Sequence, residues 1–497
     1  MFNIFKKDKY TFGKYTLDKE QIKAVKCINR ALLIVAGAGS GKTLTIVARV
    51  NYLIENGIKP DKILCISFTN ESVNSLKESL KKNNITDVDV KTFHKLSLDI
   101  LNQRKEIVND NLLKYITEEY LEEYFYSFIN YDKTKDLLDF YIKDEELNKK
   151  TFLTNFESVI VSFINLFKSY NYDKQYFLNI IKKEKDKDKK ILLIVIFKIY
   201  ALYEEELFCN NKIDFNDIIN FAIKKIDKLK YFKYKYVIID EYQDTSFSKY
   251  LLIKKLYDKF NLYLTAVGDD FQSIYSFTGC DLNVFFNFKR NFLNSKIIKL
   301  KNTYRCPSDV VNVSSRFVMK NKRQMRKSLH SFRRLKNSII VVFSKNIISD
   351  FIHILEKHND ILVLGRNNKD VLLLIDNDNF TLDNNKIIYT KDESKNITFL
   401  TVHSSKGLEG ENVVILNVVD DYLGFPNKIK ENDLLNCLYT KKNENVLYAE
   451  ERRLFYVALT RTRNYVYIFT NRFNKSIFVD ELLTSYRWKI KIMEFEV

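Results

Sequence analysis

The chain reads as an α/β protein built on two parallel-sheet cores, with a block of helices inserted in the first. Three observations predict this. Short apolar, β-branched runs recur between helical patterns in two separate sets, about 110 residues inside the first set show only helical periodicity, and no linker rich in Gly or Ser interrupts the chain.

The first set of runs is Leu32 to Val35, Ile63 to Phe68, Val88 to Val90, Tyr236 to Ile239 and Leu262 to Val267. Near-continuous apolar runs of this length suit strands covered on both faces, as in a doubly wound sheet. The second set is Ser338 to Phe343, Ile361 to Leu364, Ile397 to Thr401, Val413 to Val418 and Tyr465 to Phe469. Between the third and fourth runs of the first set, Leu, Ile, Phe and Tyr recur at three- and four-residue steps, which is a helical signature. The expected division is therefore 1–94 and 208–290 for the first core, 95–207 for the helical insertion, and 291–368 with 397–497 for the second core. Residues 369–396 separate the two parts of the second core.

Length and composition bound the function. With 497 residues, 46% of them hydrophobic and 14% aromatic, the chain fills several packed domains and is not a disordered protein. The 81 Lys and Arg against 63 Asp and Glu leave a formal charge of +18. A field of that sign concentrates polyanions, although a Lys-, Asn- and Ile-heavy composition also arises from a nucleotide-biased genome. The six cysteines (Cys27, Cys65, Cys209, Cys280, Cys306, Cys437) show no C-x-x-C spacing, so no zinc or iron–sulfur cluster is expected, and reduced cytoplasm suits them. The N-terminus is charged too early for a secretion signal, and the most apolar stretch, Ile191 to Phe197, is broken by Lys198, so no membrane span is expected.

Chemistry concentrates at the ends of the strand-like runs. Leu32 to Val35 leads into Ala36-Gly37-Ala38-Gly39-Ser40-Gly41-Lys42-Thr43 and then a helical pattern. Glycines let backbone N–H groups curl around phosphates, Lys42 neutralises them, and the Thr43 hydroxyl reaches a metal at a helix N-terminus. Ala36 stands where the strict pattern has glycine, and a tight strand-to-helix turn is the plain alternative. The run Val237-Ile238-Ile239 ends in Asp240-Glu241, placing one acid for Mg²⁺ and a second for a water beside a phosphate. Ala266-Val267-Gly268-Asp269-Asp270-Phe271-Gln272-Ser273-Ile274-Tyr275 follows. Together these segments predict a magnesium-dependent ATP site.

Two tracts are rich in basic residues. Lys182 to Lys190 mixes signs and reads as a solvated helix end or loop. Lys322-Arg323, Arg326-Lys327 and Arg333-Arg334 form a denser patch, suited either to a nucleic-acid backbone or to a plain exposed face.

With these segments placed, Asp240-Glu241-Tyr242-Gln243-Asp244-Thr245 and Val267 to Tyr275 resemble the second and third motifs of the UvrD/Rep/PcrA-type superfamily 1 helicases, and further matches run from about Tyr15 to the C-terminal region. The resemblance implies two RecA-like parallel-sheet domains and an ATP-dependent DNA helicase that translocates on single strands from 3′ to 5′. It assigns adenine reading to Gln21, Mg²⁺ to Asp240, activation of the attacking water to Glu241, and γ-phosphate sensing to Gln272. Tyr304 would stack on adenine, Arg305 and Arg461 would reach the γ-phosphate from the second core, and Glu409 would contact nucleotide oxygens. An isolated Glu409 or Arg461 would otherwise be read as half of a surface ion pair.

For DNA, the resemblance points to Phe68-Thr69-Asn70 and Thr92-Phe93-His94 in the first core and Thr401 and His403 in the second. Tyr275 and Phe277 join stacking to the γ-phosphate sensor, the alternative for Phe277 being a core aromatic. Four positions depart from the pattern: Leu44 where relatives often have Arg, Lys249 where they often have Gln, Phe277 where they commonly have Trp, and Thr278 where they commonly have Arg.

Full-length relatives carry a large second insertion where 369–396 stands here, so that accessory domain is expected to be nearly absent and unwinding to depend on a partner. The short span after Arg461 leaves no room for a fused nuclease, so any cutting would come from a partner protein. Short chains of this kind resemble the helicase-like subunits of two-component anti-phage systems such as Gabija, and a plasmid or phage replication or repair helicase fits equally. A nucleotide-gated sensor of DNA ends or single strands, regulating a partner nuclease, is the competing expectation. An RNA helicase is a third.

Overall fold

The computed structural model describes residues 11–13, 15–102, 105–128, 149–429, 432–439 and 446–494. Each of the ten strand runs read from the sequence is a strand, with its ends moved by no more than three residues.

The first sheet is parallel throughout. Its strands lie in the order Lys296–Lys299, Ala31–Val35, Tyr263–Gly268, Tyr236–Ile239, Ile63–Ser67 and Asp89–Thr92. In Ala31–Val35 alternate side chains enter opposite cores: Ala31, Leu33 and Val35 pack with Leu64, Ile239 and Phe285, whereas Leu32 and Ile34 pack with Ile46, Val50 and Leu76. Burial on both faces explains why the strand reads as unbroken hydrophobicity rather than alternation.

One boundary moves. Lys296–Lys299 pairs with Ala31–Val35, so part of the stretch assigned to the second core from residue 291 completes the first sheet. This strand was missed because it is a half-exposed edge with only two apolar residues between lysines. The boundary at residue 95 also shifts. The helix Phe93–Leu101 sends Leu96 and Ile100 into the first core beside Ile218 and Leu64, so it belongs to that lobe and not to the insertion.

Among the described residues the insertion has the helices Asp110–Phe128, Lys149–Ser169, Lys174–Lys183 and Lys187–Cys209. They pack around Phe163, Phe167, Phe177, Ile196 and Tyr203. The chain leaves and returns through the paired strands Glu106–Ile107 and Lys212–Ile213. Lys168 Nζ, nearly out of solvent, lies 2.7 Å from Asp214 and 2.9 Å from Asp217 at the seam with the first lobe. Burial pushes the Asp217 carboxyl up to about 6 even so. The Lys182 to Lys190 tract spans a helix junction, where the Asp186 side chain caps the Asp188 and Lys189 amides.

The second sheet has the order Phe380–Asp383, Lys386–Tyr389, Asn396–Thr401, Asp360–Gly365, Asn412–Ile415, Val466–Thr470, Ile339–Phe343 and Ile490–Met493. All neighbours are parallel except the first two pairs. Residues 369–396 hold an antiparallel hairpin that extends the sheet edge, turning at Asn384 with φ 54°. Among the described residues no helix is long and apolar enough to cross a membrane.

Candidate active site

Both sheets present their strand ends to one cleft. The phosphate loop leaves Ala31–Val35 with the Ala36 amide bonded to the Gly268 carbonyl at 2.9 Å. Gly39 and Gly41 adopt φ of 68° and 77°, and a Cβ on Gly39 would collide with the Arg305 side chain arriving from the second lobe. The following helix, Lys42–Glu55, starts at Gly41 with no side-chain cap and no acid in its first turn. Neighbouring helices are capped by Asp18, Thr69, Thr92 and Asp214. An uncapped N-terminus with a lysine at its first position keeps its N–H groups and partial positive charge for an anion, which fits a phosphate chain.

Opposite this helix end stand the carboxylates. Lys42 Nζ pairs with Glu241 Oε1 at 2.5 Å, and Gln243 Nε2 donates to Glu241 Oε2 at 2.6 Å. Burial alone would raise the Glu241 carboxyl, but the ammonium groups of Lys42 and Lys406 hold it down to about 2. Asp240, equally buried and beside that anion, is pushed up to about 6. Glu241 itself sits at φ 50°, a left-handed conformation that turns its side chain off the end of the strand.

The second lobe supplies the arginines. Arg461 is 1% exposed, and its Nη2 donates to Gln272 Oε1 at 3.1 Å, while Gln272 Nε2 donates to Asp269 at 2.6 Å. Burial, together with neighbouring Arg305, lowers the Arg461 guanidinium to about 10. Arg305 Nε pairs with Glu409 at 2.5 Å. A cavity of about 1040 Å³ is lined by Gly39 to Thr43, Asp240, Glu241, Gln272, Tyr304, Arg305, Glu409 and Arg461. Tyr304 stands half exposed at its mouth, its hydroxyl donating to Asp18 at 3.0 Å.

Gln21 is not among the residues that line that cavity. Its Oε1 accepts the Asp18 amide at 2.9 Å in the cap of its own helix, and its Nε2 donates to the Ser40 carbonyl of the phosphate loop at 3.2 Å. Ala36, Gly37 and Ala38 lie beneath the cavity rather than on its wall: Ser40 Oγ accepts the Gly37 amide at 3.2 Å, and the Ala38 amide donates to Tyr456 Oη of the second lobe at 3.3 Å.

The residues expected to meet DNA divide into two groups. Phe68 and Thr69 line the far side of the same cavity. Tyr275 donates through its hydroxyl to the His403 carbonyl at 3.1 Å, and Phe277, 61% exposed, has its ring 5.9 Å from that of His403. The aromatic pair therefore spans the seam between the lobes. Thr401 Oγ1 is 2.9 Å from Ser404 Oγ, and burial pushes the His403 imidazole down to about 4. Phe93, by contrast, is a correction. It is 1% exposed, its ring 5.3 Å from Phe68, and it supports that ring from inside the core. The Thr69 and Thr92 hydroxyls cap helices, Asn70 is exposed at a helix start, and His94 packs 5.4 Å from Phe215.

In the denser basic tract Lys322, Arg326, Arg333 and Arg334 are exposed, whereas Lys327 is buried. Lys327 lies 4% exposed between Asp269 and Asp270, 3.1 Å from the Ala36 carbonyl and over the Phe271 ring. Arg333 donates to the Arg305 carbonyl at 2.7 Å and to Asn464 at 3.0 Å, and Arg323 bonds Asn283. These side chains cement the seam. Sequence reasoning also missed Lys406, which reaches across the seam to pair with Asp244, although it stands inside the Thr401 to Glu409 motif. No motif would have singled out Lys327.

A phosphate-cradling loop, a strand ending in paired acids, and two arginines from a second sheet define a P-loop nucleoside triphosphatase with two RecA-like lobes. The comparison with known families is direct: the UvrD/REP helicase N-terminal domain profile matches residues 17–293, more than half of the chain, and the UvrD-like helicase C-terminal domain profile matches 348–472. The chain belongs to the UvrD/REP helicase family. It is similar to DNA helicase IV of Escherichia coli, 26% identical over 492 residues that cover 94% of this chain and 70% of that protein. It also resembles the ATP-dependent DNA helicase Rep of Buchnera aphidicola (32% identical, 71% of this chain, 54% of that one) and the ATP-dependent DNA helicase PcrA of Bacillus subtilis (29% identical, 63% and 41%). The chain spans between about two fifths and seven tenths of the length of these relatives.

Proposed function

We propose that the chain is an ATP-dependent DNA helicase that moves along single strands, with the 3′ to 5′ polarity that the family resemblance implies. The observation that carries this reading is the shared cavity, in which Lys42, Glu241 and Gln272 of one lobe meet Arg305 and Arg461 of the other. Thr43 and Asp240 both border it and offer the hydroxyl and carboxylate that would hold Mg²⁺, which neutralises charge on the β- and γ-phosphates. Glu241 is held ionised by Lys42, so it can take the proton of the attacking water. Arg305 and Arg461 aim positive charge at the same space, worth on the order of 10³ to 10⁵ in rate for such arginines. They do so only while the lobes are together.

Coupling to DNA follows from chain continuity. Gln272 touches Arg461, and three residues on, Tyr275 touches His403, so a change at the phosphate end of this segment displaces the stacking rings. Phe68, Thr69, Asn70, Tyr275, Phe277, Thr401 and His403 are the residues assigned to the strand. The hairpin at 369–396 supports weak unwinding without a partner protein, a nuclease being one candidate, because it occupies the place of a larger DNA-contacting insertion. Free cysteines throughout suit the reducing cytoplasm.

The test is ATP turnover with and without single-stranded DNA, paired with displacement of a 3′-tailed duplex. Turnover that rises with DNA and accompanies displacement is the expected result. Absence of any DNA stimulation would refute the motor, and stimulated turnover without displacement would favour the sensor.

A further inference from the structure

After the strand Asn412–Ile415 the chain leaves the second sheet and crosses to the helical insertion before returning at the helix Ala449–Leu459. At the far point of this excursion Asp433–Cys437 forms a short turn, capped by the Asn432 side chain on the Leu434 amide. Leu434, 3% exposed, and Leu438, fully buried, lie in the insertion's own core with Phe163, Phe167 and Ile196. Tyr172 Oη of the insertion donates to the Leu438 carbonyl at 3.3 Å, and Lys189 stands 3.9 Å from Asp433. The second lobe is thus anchored inside the helical domain of the first.

What lies under this anchored segment is the outer part of the proposed strand path. A cavity of about 800 Å³ is floored by Phe277 and His403, bounded by Tyr170 of the insertion, and walled by Lys428, Tyr439 and Leu447 of the excursion. Leu447 is 72% exposed and Phe277 61% exposed, so large apolar groups of the described residues face this space. Flat apolar surface beside lysine suits stacked bases and their phosphates.

We infer that residues 432–439 are a strap that converts the nucleic-acid groove into a closed passage, so that a bound single strand is encircled by the two lobes, the insertion and the strap. This rests on the nucleic-acid reading above. Its consequence is selectivity for strand topology. Direct lateral release requires Leu434 and Leu438 to leave the insertion core, whereas threading off a free end does not.

The experiment compares the lifetime of the complex on a closed circular single strand, a linear strand of equal length, and the same linear strand blocked at both ends by streptavidin, after challenge with excess competitor DNA and without ATP. Encirclement predicts lifetimes at least about tenfold longer on the circle and the blocked strand than on the open linear strand. The double substitution Leu434→Asp with Leu438→Asp should bring all three together. Equal lifetimes in the unaltered protein would overturn the strap, and so would a difference that survives in a folded double variant. The unaltered protein decides the matter if the variant does not fold. No binding to any of the three would instead sink the nucleic-acid reading on which the strap depends.

Discussion

Gln272 and Arg461 are joined across the two lobes by a hydrogen bond of 3.1 Å between two side chains that are both almost out of solvent. The bond places the second lobe's guanidinium against the first lobe's amide. Removing Arg461 therefore affects both chemistry and closure. Arg461→Ala should lower kcat by about 10³-fold or more, with DNA-stimulated turnover falling by the same factor as basal turnover. Steady-state kinetics with and without single strands measure both.

Glu241→Gln keeps the shape of the side chain and removes its charge. Turnover should fall by about 10² to 10⁴-fold, the range for loss of a general base, while nucleotide binding persists because Lys42 and the loop amides are untouched. Equilibrium binding of a fluorescent ATP analogue, set beside phosphate release, separates the two. A variant with normal turnover would remove Glu241 from the chemistry.

Two phenylalanines give opposite expectations. Phe277→Ala should weaken single-strand binding by about 1 to 3 kcal/mol, the worth of one stacked base, and leave thermal stability unchanged, since the ring is 61% exposed. Phe93→Ala should destabilise the fold by about 3 to 5 kcal/mol, the cost of emptying a core site, since that ring is 1% exposed. DNA titrations and melting curves on the two variants check the contrast.

Lys327 sits between the carboxylates of Asp269 and Asp270. Lys327→Met would strand two buried acids, at a cost of about 3 to 5 kcal/mol for an uncompensated buried charge. If Lys327 instead met a nucleic-acid backbone, the substitution would alter the salt dependence of DNA binding and leave the melting temperature alone.

His94 carries a pH signature. Burial first, and then the Lys249 ammonium, push its imidazole down to about 4. The unfolded chain takes up that proton near 6.5, so the native state loses stability relative to the unfolded one as pH falls from about 6.5 towards 4. Replacing it as His94→Gln removes this penalty. Relative to its value at pH 7, the variant's stability should gain on the parent by up to about 2 kcal/mol at pH 5, read from paired melts at the two pH values.

The strands were legible because a strand buried on both faces must be apolar along its whole length, as in Ala31–Val35 and Ile63–Ser67. The edge strand Lys296–Lys299 was not, because one exposed flank lets lysines into the pattern and removes the signal. Within the site, Lys42, Asp240, Glu241 and Gln272 stood out because phosphate chemistry needs those groups next to glycines and strand ends. The directions of Gln21 and Phe93 were not legible, because a motif position gives residue type but not where a side chain points. Gln21 spends its amide on Asp18 and Ser40, and Phe93 turns into the core beneath Phe68.

The sequence by itself determined that glycines, a lysine and paired acids stand at strand ends and that the strands fall into two sheets, since local pattern and covalent spacing carry that information. Only the tertiary structure decided that Arg461 meets Gln272, that Lys327 is internal cement, and that Leu434 and Leu438 anchor in a foreign core. Those contacts join residues 58 to more than 200 positions apart, from Asp269 to Lys327 and from Ile196 to Leu434, and long-range packing of that kind leaves no periodicity along the chain to read.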